Sequence, residues 1–184
     1  MSRAELPTEP DYESYALDLR SQLFPGLSVD VAMPLERLTS PHLMRTVSAM
    51  LSVRVTTHRM MPRNVWGVTT IRGESATIWL NREAWPELQL RVGRSFFTVS
   101  HELSHCYLDH GSALAGLERR ADRPLEDRLE LAANRLATHL LIPSAAMRTI
   151  NRATPAGIAV RFCVSERMAA KRIAELAMHA AETT

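Results

Sequence analysis

Two histidines four residues apart constrain this sequence more than any other feature. They stand in the run His101-Glu102-Leu103-Ser104-His105. A helix would place the two imidazoles about 40° apart around its axis and roughly 6 Å apart along it, so both could reach one cation from the same face. Glu102 would lie about 60° beyond His105, close enough to touch a water on that cation. This spacing is typical of two zinc ligands and the general base of a metallopeptidase.

The residues around the pentapeptide predict a buried helix from about Val92 to about His110, ended by Gly111. Its apolar side chains are Phe96, Phe97, Val99, Leu103, Tyr107 and Leu108. Two histidines and a glutamate inside such a helix need partners, because burying unpaired polar groups costs free energy. The pattern therefore favours a ligand role for the histidines over isolated core positions.

A catalytic zinc usually takes three protein ligands, and the third must come from elsewhere in the chain. The extended motif with a third histidine is absent, since positions 108 and 111 are Leu and Gly. A second helix is predicted from about Pro124 to just before Pro143. Glu130 and Asn134 lie one turn apart on one of its faces.

We interpret Glu130 as the third ligand, with Glu126 as its alternative. Asn134 would hydrogen-bond a ligand imidazole and hold its tautomer. His139 would point away from the metal, because it lies about 180° around the helix from Glu130.

The segments before the motif predict an α+β fold. A short amphipathic helix spans Asp11 to about Leu23, and its acidic residues are interpreted as a solvated face. Another helix is predicted from Ser40 to about Leu51, and residues 81–91 are predicted to be irregular. Three short strands follow this Ser40–Leu51 helix, at Ser52–Arg59, Val65–Ile71 and Ala76–Leu80. They form a small antiparallel or mixed sheet packed on the motif helix, as in a small zincin-like domain.

The C-terminal segment predicts three short helices, at about 144–151, 155–162 and 165–180. The last two resemble a helix-turn-helix. Six basic and two acidic residues lie between Ser144 and Ala180. The segment therefore leaves two interpretations open: a helical subdomain that packs on the peptidase and docks its substrate, or a DNA-binding regulator whose metal site is structural or sensory.

These patterns divide the chain into residues 1–39, a leader and helix; residues 40–143, the zincin-like domain; and residues 144–184, the C-terminal helical subdomain. A formal charge of +2 does not by itself argue for nucleic acid. Two cysteines give no disulfide framework, and no stretch is long and apolar enough for a membrane span. We therefore expect a cytoplasmic protein.

Two longer motifs resemble the ImmA/IrrE family of metallo-endopeptidases. Residues 97–105 read F-T-V-S-H-E-L-S-H, and residues 130–143 read E-L-A-A-N-R-L-A-T-H-L-L-I-P. The family reads F-T-x-x-H-E-x-x-H, then E-x-x-A-N-x-x-A-x-x-L-L-x-P. The resemblance implies a small zincin with Glu130 as the third ligand, whose protein substrate is a helix-turn-helix transcriptional repressor. Cutting that repressor would derepress a stress response, mobile element or prophage. One departure is Asp109, where many relatives have a histidine.

The donor set predicts the chemistry. Zinc suits two imidazoles and a carboxylate, with Mn²⁺ or Fe²⁺ as alternatives. Glu102 would be the catalytic base. Such sites also use a hydrogen-bond donor for the oxyanion of the tetrahedral intermediate. The candidates for that donor are Tyr107, His110 and His58.

Overall fold

The computed structural model describes residues 11–39, 45–47, 51–58, 60–108 and 123–182 of the 184-residue chain. Seven α-helices and four strands occur in this part. The helices are α1 (Tyr12–Leu23), α2 (Ala84–Gln89), α3 (Gly93–Tyr107), α4 (Arg123–Leu141), α5 (Ser144–Thr149), α6 (Pro155–Phe162) and α7 (Glu166–Glu182). The strands are β1 (Arg45–Val47), β2 (Leu51–Thr57), β3 (Gly67–Arg72) and β4 (Ser75–Leu80), and a 3₁₀ helix spans Leu35–Thr39. The predicted α+β class is confirmed.

The strands form one mixed sheet in the order β1-β2-β4-β3. β2 and β4 are parallel, whereas the β1–β2 and β3–β4 pairs are antiparallel. The three predicted strands are present, and β1 adds a fourth. The helix predicted from Ser40 to Leu51 is wrong wherever this stretch is described, because Arg45–Val47 pairs with β2 instead. Apolar spacing in so short a run does not separate helix from strand, and pairing with a neighbouring strand decided the outcome.

One face of the sheet packs against α3. Its inward residues are Val53, Val55, Ala76, Ile78 and Leu80, all buried in one hydrophobic cluster with Phe96, Val99 and Leu103 of α3. The stretch predicted to be irregular before α3 contains α2. Asn81 accepts hydrogen bonds from the backbone N–H groups of Glu83 and Ala84 at the start of that helix, at 3.0 and 2.7 Å. These bonds satisfy amide groups that a helix start leaves unpaired.

The C-terminal helices begin and end close to their predicted positions. Thr154 accepts from Gly157 N at the start of α6, and Cys163 at φ 55° ends it. The turn to α7 lies against the start of α3, where a Cβ on Gly93 would stand 2.6 Å from the Val164 carbonyl carbon. Only a glycine permits this approach.

A group of charged and polar side chains joins α1, α4, α5 and α7. Arg172, only 3% exposed, contacts Glu13 Oε2 at 3.2 Å and Ser144 Oγ at 2.7 Å. His139 Nδ1 lies 3.0 Å from the same carboxylate oxygen. We call these four residues the ionic cluster. Glu13 is therefore not on the solvated face predicted for the opening helix.

The hydrophobic core takes residues from all three segments of the predicted division. Leu19 and Leu23 precede residue 40, and Ile158 and Phe162 follow residue 143, yet all four belong to the same buried cluster as α3. The division into three domains stays a prediction. None of the described helices combines the length and apolar character that crossing a bilayer requires.

Candidate metal centre

α3 places His101 and His105 side by side. Their ring centroids are 4.6 Å apart and the planes are nearly perpendicular, at 80°. The two Nε2 atoms are 2.9 Å apart. This is the result expected of an i, i+4 pair, because a helix returns to the same face after about one turn.

α4 brings Glu130 to the same point. Its Oε2 lies 3.1 Å from His101 Nε2, and its Oε1 lies 3.3 Å from His105 Nε2. One ligand atom from each residue falls within 4.8 Å of the others. We call these three residues the metal centre. The side chain of the alternative, Glu126, lies outside the described part of the chain.

The three residues differ in exposure and in charge. The side chains of His101 and His105 are 16% and 8% exposed, whereas that of Glu130 is 46% exposed. Hydrogen bonds from His101 and His105 hold the pKa of Glu130 far below its usual range, so it is a carboxylate at neutral pH. Burial acts to lower the pKa of His101, but the hydrogen bond to Glu130 and the charges of Glu102 and Glu130 outweigh it, and the pKa is raised. The site therefore favours positive charge.

Asn134 lies one turn after Glu130 and contacts the first histidine. Its Oδ1 is 3.1 Å from His101 Nδ1. An amide oxygen accepts, so this contact assigns one ring hydrogen to Nδ1. When the ring is neutral, its lone pair is then on Nε2, the atom that faces His105 and Glu130. An unprotonated Nε2 is the form that binds a cation.

Glu102 lies on the side of α3 that faces the sheet. It is 9% exposed, and Thr69 of β3 donates to its Oε2 at 2.6 Å. The strand comes this close because residue 67 is glycine. A Cβ there would meet Thr98 Cγ2 at 2.6 Å and Glu102 Cγ at 3.2 Å.

Sequence reasoning missed both Thr69 and Gly67. A glycine at the start of a strand is a known sign of close backbone approach, so Gly67 could have been singled out. Nothing in the sequence shows which threonine of β3 meets the motif helix.

The three oxyanion candidates fare differently. The Tyr107 hydroxyl donates to Asp18 Oδ2 at 2.6 Å, which uses its single hydrogen. Tyr107 also follows His105 by two residues and so points to the far side of α3.

His58 packs edge-on against Trp79, whose Nε1 donates to Thr70. Because Thr70 and Thr69 face opposite sides of the strand, His58 lies on the sheet face away from Glu102. His110 lies outside the described residues.

The metal centre fits a divalent cation. Two imidazole nitrogens and a carboxylate are the donor set of many catalytic zinc sites, which keep a further position for water. Nitrogen and oxygen atoms about 3 Å apart around one point can share a cation more readily than they can share hydrogens. Burial raises the pKa of the neighbouring Cys106 thiol to about 12. Among the described residues, the group that could hold a metal ion comprises His101, His105 and Glu130 and does not include Cys106.

Comparison with known proteins gives the family. A comparison with curated protein sequences finds no match. The model of the IrrE N-terminal-like domain, Peptidase_M78, matches residues 50–174. The matched stretch begins in the sheet, contains α3 and α4, and ends within α7. It covers more than half of the chain and contains the metal centre. This chain therefore belongs to the ImmA/IrrE family of metallopeptidase-type proteins, as the two motifs indicate.

Proposed function

We propose that this protein is a zinc-dependent endopeptidase that cuts a helix-turn-helix transcriptional repressor in the cytoplasm. The observation that carries the proposal is the convergence of His101, His105 and Glu130 beside the buried carboxylate of Glu102. A purely structural zinc site would commonly use four protein ligands. Three ligands with an adjacent carboxylate match a site that activates water.

In this proposal Glu102 handles the proton. His101, His105 and Glu130 would hold a divalent cation, Zn²⁺ or alternatively Mn²⁺ or Fe²⁺, which would supply the Lewis acidity that acidifies water and polarises a scissile carbonyl. Glu102 would accept a proton from the attacking water and return it to the leaving amine. Thr69 fixes the orientation of the carboxylate through Oε2, so we assign the proton to Oε1. Asn134 holds His101 in the tautomer that binds the cation.

The outer edge of β3 suits an extended peptide. Among the strands that the structure describes, β3 is the last in the sheet order, and its Thr69 contacts Glu102. Unpaired backbone groups on an edge strand can hydrogen-bond a substrate strand, which gives affinity without fixing the side chains. A peptide on this edge would run past Glu102. Of the oxyanion candidates, His110 is the one to which we still assign that role.

The repressor substrate and its regulon rest on family membership. Cleavage of the repressor would release the genes of a stress response, mobile element or prophage. The alternative function was a DNA-binding regulator with a structural or sensory metal. The α6–α7 turn lies against Gly93, and Arg172 of α7 is buried in the ionic cluster. Both contacts favour packing or substrate docking for these helices.

Cleavage assays test the proposal directly. The purified protein, supplied with Zn²⁺ or Mn²⁺, would be mixed with helix-turn-helix repressors encoded beside its gene. We expect one cut, seen by gel and mass spectrometry, and a loss of about 10² to 10⁴ in rate for Glu102→Gln. Purified wild type should contain about one equivalent of zinc, largely lost in His101→Ala. Cutting by Glu102→Gln at the wild-type rate would exclude the mechanism.

A further inference from the structure

The outer face of the sheet carries side chains that the metal centre does not use. Thr69 faces α3, so its neighbour Thr70 faces the other way. The strand register then gives three outward rows, which are Thr56–Trp79–Val68, Arg54–Thr77–Thr70 and Ser52–Ser75–Arg72. These nine positions, which we call the outer face, hold an aromatic ring, two arginines and five hydroxyl groups, and none of them is a carboxylate.

Trp79 is held in place at the centre of its row. Its Nε1 donates to Thr70 Oγ1 at 2.9 Å. The His58 ring packs edge-on against it, with centroids 5.4 Å apart and an interplanar angle of 87°. The tryptophan is only partly buried. An indole fixed by a hydrogen bond and a neighbouring ring offers a flat surface at low entropic cost, because little side-chain freedom remains to be lost.

The two arginines follow this ring along the strands, both on the same side of it. Arg54 Nε donates to Thr77 Oγ1 at 3.1 Å, which orients its guanidinium across the middle row. Arg54 and Arg72 are both exposed. From the row of Val68 to the row of Arg72 the strand rises about 13 Å. The outer face is thus a strip with a ring at one end and positive charge along the rest.

The segment of the sequence that contributes Arg54 and Arg72 to the outer face is unusually positive. Between Glu36 and Glu74 the chain has six arginines and no aspartate or glutamate. The whole chain has a formal charge of only +2, so the remainder is net negative. Such asymmetry within one chain is typical of a surface that binds a polyanion.

We propose that the outer face binds single-stranded nucleic acid. A base would stack on Trp79, and phosphates would pair with Arg54 and Arg72. Duplex DNA hides the faces of its bases, and the carboxylates of polyglutamate or the phosphates of an anionic lipid carry no ring that could stack on Trp79, so none of these ligands would use both features. The strip has room for two or three nucleotides, the number of bases that the open sheet of an RNA-recognition motif stacks. This site is separate from peptide cleavage and lies on the opposite face of the sheet.

Fluorescence anisotropy of a fluorescein-labelled dT₁₂ oligonucleotide tests the proposal with the full-length protein. We expect saturable binding at 50 mM NaCl that weakens as salt rises, with a log–log slope of about −0.7 for each contacted phosphate. Trp79→Ala should weaken binding about tenfold or more. Trp79→Phe should retain most of the affinity, yet lose the tryptophan quenching that the oligonucleotide causes. Arg54→Gln and Arg72→Gln should each reduce the slope by about 0.7.

Two charge-matched variants serve as controls. Arg148→Gln on α5 and Arg167→Gln on α7 each remove one exposed positive charge, and both should bind like wild type. Circular dichroism and a thermal melt would show that each variant is folded. The proposal is overturned by absence of binding at 50 mM NaCl, by wild-type affinity in Trp79→Ala, or by loss of binding in Arg167→Gln alone. Equal competition by polyglutamate or phosphatidylserine vesicles would overturn it too.

Discussion

The metal centre and the ionic cluster contain the same kinds of side chain but differ in how they are completed. Each pairs a glutamate with histidine, and α4 contributes to both, through Glu130 in one and His139 in the other. In the ionic cluster Arg172 supplies the positive charge, and Ser144 and the N–H of Ala145 also donate to Glu13. In the metal centre two imidazoles turn Nε2 atoms towards each other at 2.9 Å.

The difference shows how a ligand site can be told from a structural ion pair. In the ionic cluster the guanidinium group of Arg172 balances the carboxylate of Glu13, so no bound ion is needed. The metal centre instead concentrates nitrogen and oxygen lone pairs, with Asn134 holding His101 in the matching tautomer. We infer that cation removal affects the metal centre strongly and the ionic cluster hardly at all.

The largest expected effect is on zinc affinity. Glu130→Gln removes one of three ligands, and we expect about a thousandfold weaker binding, a third or so of the free energy typical of zinc sites. Competition with a chromophoric chelator measures the affinity. Glu13→Gln is the matched control and should change it by less than about threefold. If Glu130→Gln binds zinc like wild type, the ligand lies elsewhere, and Glu126 is tested next.

The reverse result is expected for Arg172→Met. This change leaves Glu13 partly buried beside His139 without its guanidinium partner, which should cost about 3 kcal/mol of unfolding free energy. Zinc affinity should stay near wild type. Urea denaturation measures the loss. Lys171→Met is the control. Lys171 is 76% exposed and forms a salt bridge with Glu175 at 3.8 Å, and such an exposed pair contributes under about 1 kcal/mol to stability. Equal losses in both variants would contradict the assigned role of the cluster.

Acid should weaken the ionic cluster in a defined range of pH. Burial acts to raise the pKa of Glu13, but hydrogen bonds from His139, Ser144 and Ala145 outweigh it and lower the pKa from 4.5 to about 2. A depressed pKa stabilises the fold above pH 4.5, and the contribution is lost as pH falls towards 2. It amounts to about 3 kcal/mol at most.

Metal-free protein isolates this effect. Unfolding free energies of wild type and Glu13→Gln, measured in EDTA from pH 6 to pH 3, should converge as the pH falls, because Glu130 titrates alike in both. A difference that stays constant across this range would show that Glu13 acts through packing and not through its charge.

The grouping of His101, His105 and Glu130 could be predicted because the residues on each helix are close in the sequence and the family motifs link the two helices. The spacing of His101 and His105, and of Glu130 and Asn134, fixes each pair within one turn. The ionic cluster could not, because Glu13, His139 and Arg172 are far apart in the sequence and meet only through packing. From the sequence alone, Glu13 is interpreted as part of a solvated helix face.

The contact of Thr69 with Glu102 could not be predicted for the same reason. The alternation of side chains along a strand predicts which face of the sheet Thr69 lies on, but not which helix packs against that face. The sheet also shows how far a local pattern can mislead. Val47, Met50 and Leu51 have helical spacing, yet β1 and β2 cover the described part of this run. Pairing along the backbone overrode that pattern.

The smallest expected effect concerns Asn134. This residue is not a ligand itself but orients the ligand His101, so its substitution distinguishes the two roles. Asn134→Ala keeps all three ligands but removes the acceptor for His101 Nδ1–H, so the ring can adopt the tautomer with its hydrogen on Nε2. We expect zinc affinity to fall about 10- to 100-fold, less than for Glu130→Gln. Asn134→Asp restores an acceptor and should recover most of the affinity. Thr138→Ala, one turn along α4, is the matched control. If Asn134→Ala and Asn134→Asp lose affinity equally, Asn134 acts by packing, and tautomer control is excluded.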